Sequence, residues 1–173
     1  MFDIGDKVVY PNHGVSIVES IEETTIDESE HTTFFFLRLL SNDSKVMVPE
    51  ENLDLVGLRP LGKPKDIKAL FDLLQDGVIE TYKDWKGRYK QNLDKMKTGS
   101  LTDVADVLKN LRLVSEKKSL SFREKKMYEK AKYFIVSEIA HVRKISEDDA
   151  LKKVEKALET SLEKRAKNAK SDE

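Results

Sequence analysis

The chain has 173 residues, 39% hydrophobic and 36% charged, with one tryptophan, enough apolar content for one domain or two small ones and too much for wholesale disorder. The absence of cysteine excludes a disulfide scaffold, thiolate zinc sites and cysteine nucleophiles, and fits a reducing, cytosolic setting. A net charge of −1 hides an asymmetry, because residues 1–60 carry 4 Lys/Arg against 12 Asp/Glu while the remainder carries 27 against 20.

The first sixty residues have the signals of strands. Lys7-Val8-Val9-Tyr10 is a β-favouring run closed by the turn residues Pro11-Asn12-His13-Gly14. Val15 to Ile21 follows, with Val15, Ile17 and Ile21 expected on one face and strict alternation slipping at Val18. Polar Glu22 to Glu30 is expected to be a turn or hairpin tip. Thr33 to Leu40 has the aromatic and β-branched content of a buried strand, Ser41 to Ser44 is a second turn, and Lys45-Val46-Met47-Val48 is a further strand ended by Pro49. Four or five short strands suggest a small twisted barrel or half-barrel.

From Pro64 the apolar period becomes helical. Ile67, Leu70, Phe71 and Leu74 share a face, and Gly77 supplies a left-handed stop. A second helix is expected over about 84–97, with Trp85, Tyr89, Leu93 and Met96 on one stripe. Ser100 with Asp103 opens a third. Ser121 with Glu124 is a stronger capping box and opens a fourth helix carrying Met127, Ala131, Phe134, Ile135 and Ile139. Ser146 opens a fifth with Ala150, Leu151, Val154 and Leu158 inward, and the polar tail from Lys164 is expected to fray.

Catalytic and metal signatures are missing. His13, His31 and His141 are far apart and in no ligand pattern, the seven glycines are scattered singly, and no Gly-x-Ser-x-Gly occurs. No stretch approaches the roughly 18 apolar residues of a membrane span, and Met1-Phe2-Asp3 does not open a secretory signal. The chemistry concentrates instead in Asp84-Trp85-Lys86-Gly87-Arg88-Tyr89-Lys90, within a window (83–132) of 15 Lys/Arg and 7 Asp/Glu. Two readings of this segment stand. Trp85 anchors the helical core among solvated lysines, or it is a flat apolar ring that stacks on a base or wedges a step while the cations neutralise phosphates.

The order and spacing of several segments then matter together. Gly5-Asp6-Lys7-Val8-Val9-Tyr10-Pro11-Asn12-His13-Gly14-Val15, Val48-Pro49-Glu50-Glu51-Asn52, Val56-Gly57-Leu58-Arg59, Trp85 to Lys90, Lys97-Thr98-Gly99-Ser100 and Leu120-Ser121-Phe122-Arg123-Glu124-Lys125-Lys126-Met127 resemble the CarD/CdnL family of bacterial transcription regulators over residues 1 to about 145. The resemblance implies an α+β adaptor without catalysis, cofactor or metal. A small Tudor-like β-barrel (1–62) docks on the RNA polymerase β-subunit. A compact all-helical domain (63–173) reaches promoter DNA at the upstream edge of the −10 region and stabilises the open complex. A cytoplasmic monomer, nucleoid-associated through polymerase and without membrane contact, is implied too.

Carried over residue by residue, the resemblance puts Trp85, Lys86, Arg88, Lys90, Lys125 and Lys126 at DNA, and Thr24, Lys45, Val46, Met47, Val48 and Pro49 at the polymerase. Gly87 departs from relatives that have a basic residue there, and Thr24 and Met47 stand where some relatives place arginines. Backbone pairing by the strand Lys45 to Val48 survives those departures; either Val46 or Met47 is core, depending on register. The competing function is a protein–protein interaction module with nonspecific nucleic-acid binding.

Overall fold

The computed structural model describes residues 1–172 and divides into two units, one over residues 1–61 and one beginning at Gly62. In the first, β1 (Lys7–Tyr10) turns into β2 (Gly14–Asp27). Asn12 and Gly14 take φ values of 63° and 91°, the left-handed region that asparagine and glycine tolerate best. β2 pairs with β3 (Glu30–Leu39), β3 with β4 (Lys45–Pro49), and β1 with the two-residue β5 (Arg59–Pro60), all antiparallel, in the order β4-β3-β2-β1-β5. Of the barrel or half-barrel expected, the open form is observed: β4 and β5 are the edges of the sheet, which does not close. The chain between them forms a short helical turn over Glu50–Asn52 and then buries Leu53 and Leu58 in the core of this unit instead of extending a strand that could close it.

Register fixes which side chains meet. Val18 pairs with Leu37 and Ile21 with Phe35, both toward the core, with a shift between Val18 and Ser20 that leaves Glu19 as a bulge. Ile17 pairs with Arg38, on the opposite face from Val18, so it does not share the face of Ile21 as expected. In β4, Val46 and Val48 lie opposite Leu37 and Phe35 and pack inward, whereas Met47 lies opposite Phe36 and is 55% exposed. The register question at Val46 and Met47 is thereby settled. Residues 22–30 are mostly strand and not a tip: pairing continues from Glu22↔Phe34 to Asp27↔Glu30. Thr24, Thr25 and Ile26 are β-branched, and two residues suffice for the turn.

The second unit contains α1 (Pro64–Gln75), α2 (Trp85–Thr98), α3 (Leu101–Lys117), α4 (Phe122–Arg143) and α5 (Glu147–Ser171). Their starts follow from capping. Lys63 N–H donates to Asp66 Oδ2 at 2.7 Å, and Asp84, Ser100, Ser121 and Ser146 each accept a first-turn N–H. Ser121 and Glu124 form the full reciprocal box. Asp103 forms only half of one, because its carboxylate accepts the Thr98 hydroxyl at 2.7 Å. Gly77 has φ 81° after α1, and its N–H donates to Ser161 Oγ at 3.1 Å.

Ile67, Leu108, Leu111, Ile135, Ile139 and Leu158 are at most 1% exposed and form the centre of this unit, each contributing about 1.5–3 kcal/mol by burial. Lys109 is buried among them, where its ammonium binds Asp76 at 2.7 Å and the Leu73 carbonyl, answering the C-terminal dipole of α1. The expected fraying from Lys164 is not observed; α5 stays helical to Ser171, and Arg165 reaches back to the Ile79 carbonyl at 3.4 Å. No helix among the described residues is long and apolar enough to cross a membrane.

Candidate functional site

Trp85 is the first residue of α2 and 42% exposed. Asp84 caps the helix by accepting the Gly87 N–H at 2.6 Å. A Cβ at Gly87 would come within 3.2 Å of that carboxylate, so glycine at this position leaves room for a tight cap. The indole stacks on Tyr89, four residues along the same helical face, with centroids 6.2 Å apart and planes 20° from parallel. Its Nε1 lies 3.5 Å from Ser121 Oγ, the residue that caps α4. The starts of α2 and α4 therefore meet at Trp85, and both carry the partial positive charge of helix N-termini.

The same two helix starts carry cations and a second exposed apolar ring. Phe122, the first residue of α4, is 71% exposed, with the Lys126 ammonium 4.4 Å from its ring centroid. The Arg123 guanidinium lies 6.0 Å from the Tyr89 ring. Lys86, Lys90 and Lys125 are exposed. Of the six expected DNA residues, five are thus on the surface and converge on two helix starts. Phe122 and Arg123 are additions to the expected set; their signal in the sequence is the capping box that opens α4, because it places both in the first turn.

Arg88 differs from its expected role. Its side chain is 6% exposed, and Nε and Nη2 both bind Glu124 Oε1, at 2.8 and 2.7 Å. Glu124 is 2% exposed at the side chain, and its other oxygen accepts the Ser121 N–H at 3.4 Å. The guanidinium is engaged inside the fold, joining the first turn of α2 to that of α4. Close by, Lys95 bonds to Glu80, and Tyr82 donates to the same Glu80 oxygen at 2.7 Å. These bonds hold the Glu80 carboxyl below the ordinary carboxylate range. Burial pulls the Lys95 ammonium down, but Glu80 and Tyr82 outweigh it and hold it above the ordinary lysine value.

On the sheet unit, the expected polymerase residues separate by face. Val48 is buried, and Val46 packs against the core. Met47 and Pro49 lie opposite Phe36 and Phe34 on the outer face of β3. Lys45 binds Glu19 Oε2 at 3.2 Å, and Arg38 binds Glu19 and Asp43 at 2.7 and 3.1 Å. Thr24 is exposed on β2 and lies on the same face as Ser20 and Glu22, the partners of Phe36 and Phe34. The outer side of the edge strand β4 thus continues into a half-buried aromatic strip. Among the described residues, no cluster of three metal-capable side chains occurs.

The fold is that of a two-unit protein, an antiparallel sheet joined in sequence to a helical unit that presents an aromatic and basic surface. Residues 2–62 match the CarD-like/TRCF RID domain family, and residues 69–155 match the CarD C-terminal domain family. The chain is also 35% identical over 147 residues, 85% of its length and 95% of the relative's, to the YdeB protein of Bacillus subtilis (strain 168), whose name describes it as a transcription factor. It belongs to the CarD/CdnL family.

Proposed function

We propose that the chain is a non-catalytic transcription regulator of the CarD type that binds the β-subunit of RNA polymerase through its sheet unit and prolongs the open promoter complex through its helical unit. Trp85, with Phe122 beside it, contacts the upstream edge of the melted −10 region, and Lys86, Lys90, Lys125, Lys126 and Arg123 neutralise phosphates. The observation that carries this reading is the exposed indole at the joint start of two helices whose first turns carry exposed cations. A core anchor would be enclosed, and a merely solvated lysine face would not present two open aromatic rings. A ring in that position gains most where a base step is already distorted. On the sheet unit, β4 has one unpaired backbone edge, so a partner strand can extend the sheet.

Open-complex lifetime on one promoter, measured with and without the full chain, tests the proposal. A longer lifetime that disappears with Trp85→Ala is the expected result. An unchanged lifetime, accompanied by equal affinity for promoter and random duplex, supports the interaction module with nonspecific nucleic-acid binding instead.

A further inference from the structure

Beside the aromatic face, between the α1–α2 connection and the C-terminal end of α3, is a cleft of about 190 Å³. Its floor contains two buried polar side chains, Arg88 and Asn110, and its rim contains Lys83, Lys117 and Lys118. None of the residues lining it is acidic. Asn110 donates to the Glu80 carbonyl at 2.6 Å and accepts from Asn92 Nδ2 at 3.0 Å, so the floor is fixed by hydrogen bonds. Arg88 is held by Glu124, so its charge is balanced, and the positive charge of the cleft comes from the rim lysines. The three rim lysines are exposed and form no ion pair among the described residues.

We infer that this cleft is a second phosphate-binding site, which takes a phosphodiester of the DNA strand whose distorted step meets Trp85. The inference rests on the proposed DNA contact and deepens it. Chain connectivity supports the common ligand. Lys83 is two residues before Trp85, and Lys117 and Lys118 precede Ser121, whose hydroxyl is 3.5 Å from the indole. A strand leaving the aromatic face on this side encounters a concave surface with uncompensated positive charge. An acidic peptide would satisfy the same charge, but continuity with the aromatic face favours a nucleic-acid backbone, because stacking and phosphate binding then come from one ligand.

The test uses the full chain and a forked DNA probe with a short unpaired segment. Its binding constant is measured from 50 to 200 mM salt for wild type, a Lys83→Ala/Lys117→Ala/Lys118→Ala variant, Trp85→Ala, and a Lys152→Ala/Lys153→Ala control on α5. Removing one cation that neutralises a phosphate reduces the slope of log K against log salt by about 0.7–0.9. The triple variant is therefore expected to have a slope smaller by about 2, with Lys→Arg replacements at the same positions restoring most of it. Trp85→Ala is expected to weaken fork binding with little change of slope, and the control to change neither. A triple variant with wild-type slope, while Trp85→Ala still weakens the fork, overturns the cleft and leaves the proposed function standing. Failure of the intact chain to bind the fork at any of these salts overturns both. Inorganic phosphate, titrated as competitor, should displace the DNA only at ionic strengths where salt alone does so; displacement well below that point assigns the cleft to a free anion and overturns the inference.

Discussion

Replacing Arg88 with Ala separates two roles for the same residue. In the structure the guanidinium is enclosed and binds a carboxylate that is itself enclosed. Removing one partner of a buried pair leaves the other charged and unpaired, which costs about 3–5 kcal/mol, a large share of the roughly 5–15 kcal/mol that holds a domain folded. At about 4 °C per kcal/mol for a unit of this size, the melting temperature should fall by about 12–20 °C. The sole tryptophan, Trp85, lies in this unit, so its fluorescence follows the relevant transition. Glu124→Gln alone should also destabilise, and Arg88→Ala with Glu124→Gln should cost less than the sum of the two single changes, the signature of direct coupling. A surface arginine that contacts only phosphate would behave differently, with a melting temperature within about 2 °C of wild type and a salt slope lower by about 0.9. That second pattern in Arg88→Ala would refute the assignment of Arg88 to joining α2 and α4.

Trp85→Ala should melt close to wild type, because the ring is 42% exposed, while open-complex lifetime shortens by several-fold to about a hundredfold, the equivalent of 1–3 kcal/mol of stacking; filter-retention decay measures it. Met47→Glu should leave the sheet unit folded, since the side chain points away from the core, and weaken binding to the isolated polymerase β-subunit by about tenfold in a surface-binding assay. Glu80→Gln should reduce stability at neutral pH and flatten the acid limb of the stability profile. The sign follows from the depressed carboxyl: its contribution is complete above the ordinary glutamate pKa of about 4.3 and is lost as pH falls through the lower folded value. Urea titrations from pH 3 to 7 would show whether wild type and variant converge at the acid end, as this requires.

Much of this architecture is local chemistry and is therefore legible in the sequence. The Ser121 and Glu124 box, the left-handed Gly77 and the Asn12-His13-Gly14 turn each depend on a few neighbouring residues. Relations between distant segments are not legible. Nothing within α2 shows that Arg88 turns inward, because its partner is 36 residues away and the surrounding lysines make the helix look uniformly solvated. The inward turn of Val46 depends on pairing with Leu37, a long-range choice that two adjacent apolar residues cannot settle. The β2–β3 ribbon is hidden because its polar composition resembles a loop, whereas its backbone is satisfied by cross-strand bonds whatever its side chains face. The open edge of the sheet likewise depends on what the segment before β5 does in three dimensions.

The bulge at Glu19 changes the parity of the β2 residues that face the core. On its proximal side Val18 points inward; on its distal side Ile21 does, and Ser20, Glu22 and Thr24 are turned outward beside the aromatic strip. Because Val18 pairs with Leu37 and Ser20 with Phe36, deleting Glu19 would leave a regular ladder with Ile21 still inward and Ser20, Glu22 and Thr24 still outward, whereas a one-residue slip of the distal half against β3 would place Glu22 and Thr24 over the core and Ile21 in solvent. Substitutions at Ser20, Glu22 or Thr24 can change the exposed face individually, and loss of Glu19 would remove the local bend without reversing either half. The inserted residue is also tied down, since its carboxylate bridges Arg38 on β3 and Lys45 on β4. Related chains should therefore vary freely in the composition of this ribbon and in the length of its tip, and a chain without Glu19 should keep the inward residues of both halves while losing the bridge to Arg38 and Lys45.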